Sequence, residues 1–81
     1  MIEQYREVLV VQRVSAKEDE TKIGCAFGVL IDETEQPKVF IPHTLAEKVL
    51  AGAIYWFRIS ANEEDRGRDV PWRATALVGE G

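Results

Sequence analysis

The chain holds a single cysteine, Cys25, and a single histidine, His43. An internal disulfide is therefore excluded, as is a zinc centre built from several thiolates. The acidic residues nowhere follow the D-x-D-x-D-G spacing of a calcium loop, and there is no glycine-rich loop to cradle a phosphate. Internal repeats and low-complexity tracts are missing. No apolar run approaches the ~20 residues that span a bilayer. The first residues, MIEQYREVLVV, set glutamates before a short apolar run and lack the basic start and long apolar stretch of a signal peptide. These absences lead us to expect no metal, no cofactor, no membrane span and a cytoplasmic location. A lone cysteine agrees with a reducing compartment.

Catalysis is not expected either. Cys25 and His43 have no evident third residue to orient them as a nucleophile and base. Cys25 reads as a half-buried strand residue and His43 as a surface residue beside a helix start, with base stacking as its open alternative. Carboxylates gathered on loops lack the fixed geometry that acid–base chemistry needs.

What the chain does have is apolar bulk. Its 81 residues are 46% hydrophobic and include two tryptophans, two tyrosines and three phenylalanines. A chain of this length buries roughly 60–65% of its unfolded surface, enough for one core. A single domain over residues 1–81 is expected. The net charge of −4 argues against strong non-specific binding to nucleic acid. The acidic residues, however, gather in expected loops: Glu18 to Glu20, Asp32 to Glu35, and Glu63 to Asp69. Arg6, Arg13, Lys22, Lys38, Arg58 and Arg73 fall in or beside expected strands, so a sheet face can be neutral or mildly basic. The plainer reading of the acidic loops is simple solvation.

Strand signals recur along the chain. YREVLVVQRVS (5–15) is rich in β-branched residues, KIGCAFGVLID (22–32) follows a polar turn, and KVFI (38–41) follows a break at Pro37. The period then changes in PHTLAEKVLAG. Thr44 and Glu47 have capping-box spacing, Leu45, Val49 and Leu50 form an apolar stripe, and Gly52 can end a helix of about two turns. AIYWFRISA (53–61) and PWRATALV (71–78) complete the set, separated by the charged loop NEEDRGRDV. Three strands, a short helix and two strands define an all-β chain, a five-stranded barrel with one short α-helix between strands 3 and 4. This is the connectivity of the OB-fold. The rival is an SH3-like barrel, which has no helix of that length at that place.

AFGVLI and VFIPH carry a further signal. They resemble the paired nucleic-acid-binding motifs of cold-shock domains, K-G-F-G-F-I followed after a polar turn by V-F-V-H. Phe27 and Gly28 match the first phenylalanine and its glycine, and Phe40 matches the aromatic of the second motif. Val29 stands where the second phenylalanine would be, Ala26 replaces a glycine, and Cys25 occupies the place of a basic residue. Pro42 takes the position of the histidine, with His43 one place later. The resemblance implies an OB-fold that binds single-stranded RNA or DNA by stacking bases on exposed aromatics.

Pleat geometry allows such a platform without deciding it. Phe27, Val29 and Ile31 share one face of the second strand, opposite Ala26, Gly28 and Leu30. If Val39 and Ile41 face inward, Phe40 faces out beside Lys38. The bulkier set on the second strand can instead fill the core. In the fourth strand Tyr55, Phe57 and Ile59 read as core, which turns Trp56 and Arg58 outward. In the fifth, Trp72 shares a face with Ala74, Ala76 and Val78 and reads as inward. Arg66 and Arg68, around Gly67, can reach phosphates or pair with neighbouring acids. The expected interface is therefore Phe27, Val29, Lys38, Phe40, His43, Trp56, Arg58, Arg66 and Arg68, with single-stranded RNA or DNA as partner. The alternative is a protein-interaction or self-association module, pairing with another protein or forming a homo-oligomer through the same apolar face.

Overall fold

The computed structural model describes residues 3–63 and 70–81. Five strands close into a barrel: β1 (Gln4–Ser15), β2 (Ile23–Leu30), β3 (Lys38–Pro42), β4 (Ile54–Ala61) and β5 (Trp72–Glu80). Their order around the barrel is β1-β2-β3-β5-β4, and β4 pairs back onto β1. The one described helix, α1 (His43–Ala46), lies between β3 and β4. This is the OB-like all-β architecture expected from the order of sequence signals. Neighbouring strands are antiparallel except β3 and β5, which run parallel and meet only at Val39–Trp72 and Phe40–Arg73.

Alternation of apolar residues decides which side chains fill the barrel. Val8 and Val10 of β1, Ala26 and Leu30 of β2, Val39 and Ile41 of β3, and Phe57 and Ile59 of β4 are wholly buried. Tyr55 joins them and packs edge to face on Phe57, centroids 6.2 Å apart. Burying a side chain of the size of Phe57 or Leu30 contributes about 1.5–3 kcal/mol. Ala46 and Val49, on α1 and the turn after it, are buried against the same core.

Gly28 is the tight point of β2. A Cβ built there lies 2.4 Å from Val8 Cγ1 and 2.8 Å from the Leu9 carbonyl oxygen. Only a residue without a side chain lets β2 approach β1 this closely.

Three local expectations are corrected. The helix is one turn, not two, and no capping box forms. Pro42 ends β3 and occupies the N-cap position without a side-chain hydrogen bond, so Thr44 already lies inside the helix. The chain then tightens, with Lys48 N–H bonding the Leu45 carbonyl and Val49 N–H the Ala46 carbonyl. Gly52 does adopt a left-handed conformation, φ 91°. Leu50 is not part of the buried stripe: its side chain is exposed, and its N–H donates to the Tyr55 hydroxyl at 3.0 Å.

The third correction concerns β5. Trp72 and Ala74 face the core as expected, but two register shifts against β4 interrupt the alternation. Leu77, past the shift at Thr75, packs on the core, while Val78, the extra residue of the second shift, is exposed. Each extra residue in a bulge reverses the facing of the residues beyond it.

An ion-pair clamp joins β1 to the β2–β3 turn. Arg6 Nη2 donates to Asp32 Oδ1 at 2.6 Å and to Glu33 Oε2 at 2.8 Å, and Arg6 Nε donates to Asp32 Oδ2 at 3.2 Å. The guanidinium holds the Asp32 carboxyl below its ordinary range. Part of the second acidic cluster is thereby neutralised by a strand cation.

Candidate functional site

The inward placement of Ala26, Gly28 and Leu30 turns Phe27 and Val29 outward, and the inward placement of Val39 and Ile41 turns Phe40 and Lys38 outward. Of the two packings open in the sequence, the barrel therefore adopts the one that leaves the phenylalanines on its outer face. Small residues at 26 and 28 permit it, because β2 must press against β1 at Gly28 and has no room there for a ring.

Register aligns these side chains across four strands. Gln12 of β1 pairs with Phe27, Phe27 with Phe40 of β3, and Phe40 with Arg73 of β5. The two rings meet edge to face, centroids 5.8 Å apart with 65° between their planes. The Arg73 guanidinium carbon lies 5.0 Å from the centre of the Phe40 ring. Two register positions away, on the same face, Val29 pairs with Lys38, and two positions to the other side Cys25 pairs with Pro42. Both rings are half-buried and Lys38 is exposed. The row thus offers two π-surfaces bordered by a lysine at one corner and an arginine at the end.

Two depressions flank the row. A groove of about 330 Å³ is lined by Val11, Gln12, Phe27, Val29, Lys38 and Val70, together with the Gly28 backbone. A larger one, about 690 Å³, lies between the β1–β2 hairpin and α1 and includes Lys17, Lys22, Cys25 and His43 along with Glu18 and Glu47. The larger depression is not the more informative one, because its lining mixes both charges and holds no phenylalanine, tyrosine or tryptophan ring. His43 lies there, exposed on the first residue of α1. Partial burial pushes the Cys25 thiol up from its ordinary value, which keeps it protonated and a poor nucleophile.

Not every expected residue joins the row. Trp56 and Arg58 face outward but belong to β4, which pairs with β1 and β5 and has no contact in register with β2 or β3. Trp56 is opposite Glu7 on one side and Gly79 on the other. Arg58 is engaged locally: its Nε donates to Thr75 Oγ1 at 3.0 Å, and Glu3 lies 3.7 Å away. Arg66 and Arg68 lie outside the described residues.

Two residues of the row were missed in the expected interface. Arg73 reads only as an exposed strand residue until the parallel closure of β3 on β5 sets it beside Phe40. Gln12 lies in phase with the inward Val8 and Val10, and a bulge at Val11 is what turns it out. Neither the closure nor the bulge has a signature in the local sequence.

Among the described residues no group of three histidine, cysteine or acidic side chains is placed to hold a metal ion. No described helix is long and apolar enough to cross a membrane. No family model, curated protein or solved structure matches this chain.

Proposed function

We propose that this OB-like domain binds single-stranded nucleic acid, RNA or DNA, on the outer face of β1, β2 and β3. The observation that carries the reading is the Phe27–Phe40 pair, edge to face at 5.8 Å on the outer surface. Strands 2 and 3 are the face with which OB barrels bind oligonucleotides. Lys38 supplies a cation for phosphate at the edge of the row, and Arg73 adds a planar cation over Phe40. Base stacking on such rings is worth ~1–3 kcal/mol per base and tolerates any sequence. The cold-shock-like placement of Phe27, Gly28 and Phe40 supports the same reading. We assign the domain to the cytoplasm, where a single unpaired thiol stays reduced.

The net charge of −4 makes the bound strand depend on local cations, not on the field of the whole protein. Modest affinity with few phosphate contacts is the consequence. The test is fluorescence anisotropy with short labelled RNA and DNA oligonucleotides over a salt series. Binding should weaken with a log–log slope of about −0.7 for each phosphate neutralised. No binding at low salt would refute the reading. An apolar association insensitive to salt would assign the face to a protein partner.

A further inference from the structure

We infer that the groove beside Phe27 seats one unpaired base and that Gln12 reads its edge, with adenine the best match. The inference rests on the reading of this face as a nucleic-acid platform and adds base specificity to it.

The bulge in β1 is the first argument. Val8 and Val10 face the core, and strict alternation would send Gln12 there as well. Val10 instead pairs with Gly28 and Gln12 with Phe27, leaving Val11 as the extra residue. The bulge re-aims Gln12 onto the outer face, directly beside the ring. A polar amide is thereby kept out of the core and delivered to the platform by the same irregularity.

The groove is the second argument. Its volume, about 330 Å³, lies at the lower end of the ~300–1,000 Å³ range of small-ligand pockets. Val11, Val29, Val70 and the Phe27 ring make its walls apolar, while Gln12 and Lys38 are its polar groups. Such a lining suits a flat heterocycle that stacks on a ring and presents its edge to a few hydrogen-bonding groups.

Chemistry separates the roles of the two polar side chains. The Gln12 side chain makes no hydrogen bond to the described residues, which leaves its amide donor and acceptor both available. Set side by side, they match the N6 donor and N7 acceptor of adenine. Lys38 can only donate and serves the phosphate.

The experiment compares labelled homopolymers of adenine, cytosine and thymine, about six nucleotides long, a length within the range of OB sites. Each is titrated by anisotropy against the wild-type chain and Gln12→Leu, with far-UV circular dichroism to establish that the variant is folded. The wild type should prefer the adenine strand by roughly 5- to 150-fold, the effect of one bidentate base contact. In Gln12→Leu the preference should disappear, with affinity for the adenine strand falling to about that for the other two. Equal affinity for all three strands in the wild type overturns the inference and leaves the platform standing. So does a preference for another base, or an adenine preference that survives Gln12→Leu. Failure of every strand to bind at low salt overturns the platform itself and this inference with it.

Discussion

Arg73 rests its guanidinium over the ring of Phe40, with 5.0 Å between the guanidinium carbon and the ring centre. The contact depends on the short parallel pairing of β3 with β5, which places these two residues in register. A cation over an exposed ring is worth about 0.5–1 kcal/mol.

Substituting the rings tests the platform directly. Phe27→Ala and Phe40→Ala should each cost ~1–3 kcal/mol of oligonucleotide affinity, the usual loss of one stacked base. The double variant should lose measurable binding yet keep the far-UV spectrum of the barrel, because both rings lie outside the buried core. Collapse of the spectrum would show that the pair is structural.

Trp56 provides the contrasting control. It faces outward on β4, away from β2 and β3. Trp56→Ala should leave affinity within about twofold, whereas loss of a stacking contact worth ~1–3 kcal/mol would cost fivefold or more. A loss of that size would move the interface to the β1–β4 side of the barrel.

Gly28 is expected to tolerate no side chain. In Gly28→Ala the new methyl would meet Val8 Cγ1 at 2.4 Å and the Leu9 carbonyl oxygen at 2.8 Å. The carbonyl belongs to the backbone and cannot rotate aside, so β1 and β2 must separate. We expect destabilisation of about 1–3 kcal/mol, typical of overpacking, in denaturant titration. An unchanged midpoint would show that the strands part without cost.

Acid should weaken the Arg6 clamp. The folded-state value of Asp32 is depressed, first through its hydrogen bond with Arg6. Its contribution is therefore fully present above the ordinary value of 3.8 and is lost as pH falls through the lower folded value. Melting temperature measured against pH for the wild type and Asp32→Asn should differ at neutral pH and converge below that value. Parallel curves down to strong acid would show that the ion pair contributes nothing to stability.

Much of the architecture was legible in the residues. Strand positions came from β-branched runs bounded by Pro37, Gly52 and Pro71, and the inward set of β4 came from the alternation of Tyr55, Phe57 and Ile59. The helix was legible in place but not in length. Whether Pro42 ends the strand or precedes a cap depends on how far β3 pairs with β2, and that pairing extends to Cys25–Pro42. The facing of Phe27 was open, since Phe27 and Val29 are as apolar as the residues that fill the core. The facing of Val78 departs from that of Trp72 because one register shift, at Thr75, intervenes between them and Val78 is itself the extra residue of a second.

By itself, the sequence determined the element order, the apolar periodicity of each strand and the presence of two phenylalanines on adjacent strands, because these depend on neighbours a few positions apart. Tertiary structure alone decided that the rings stand outside, that Arg73 joins Phe40 and that Gln12 joins Phe27. Those outcomes arise from closing the barrel: Gly28 must meet Val8, β3 must reach β5, and the bulge at Val11 must absorb one residue. Each is a constraint between strands distant in the chain, and no local pattern encodes it.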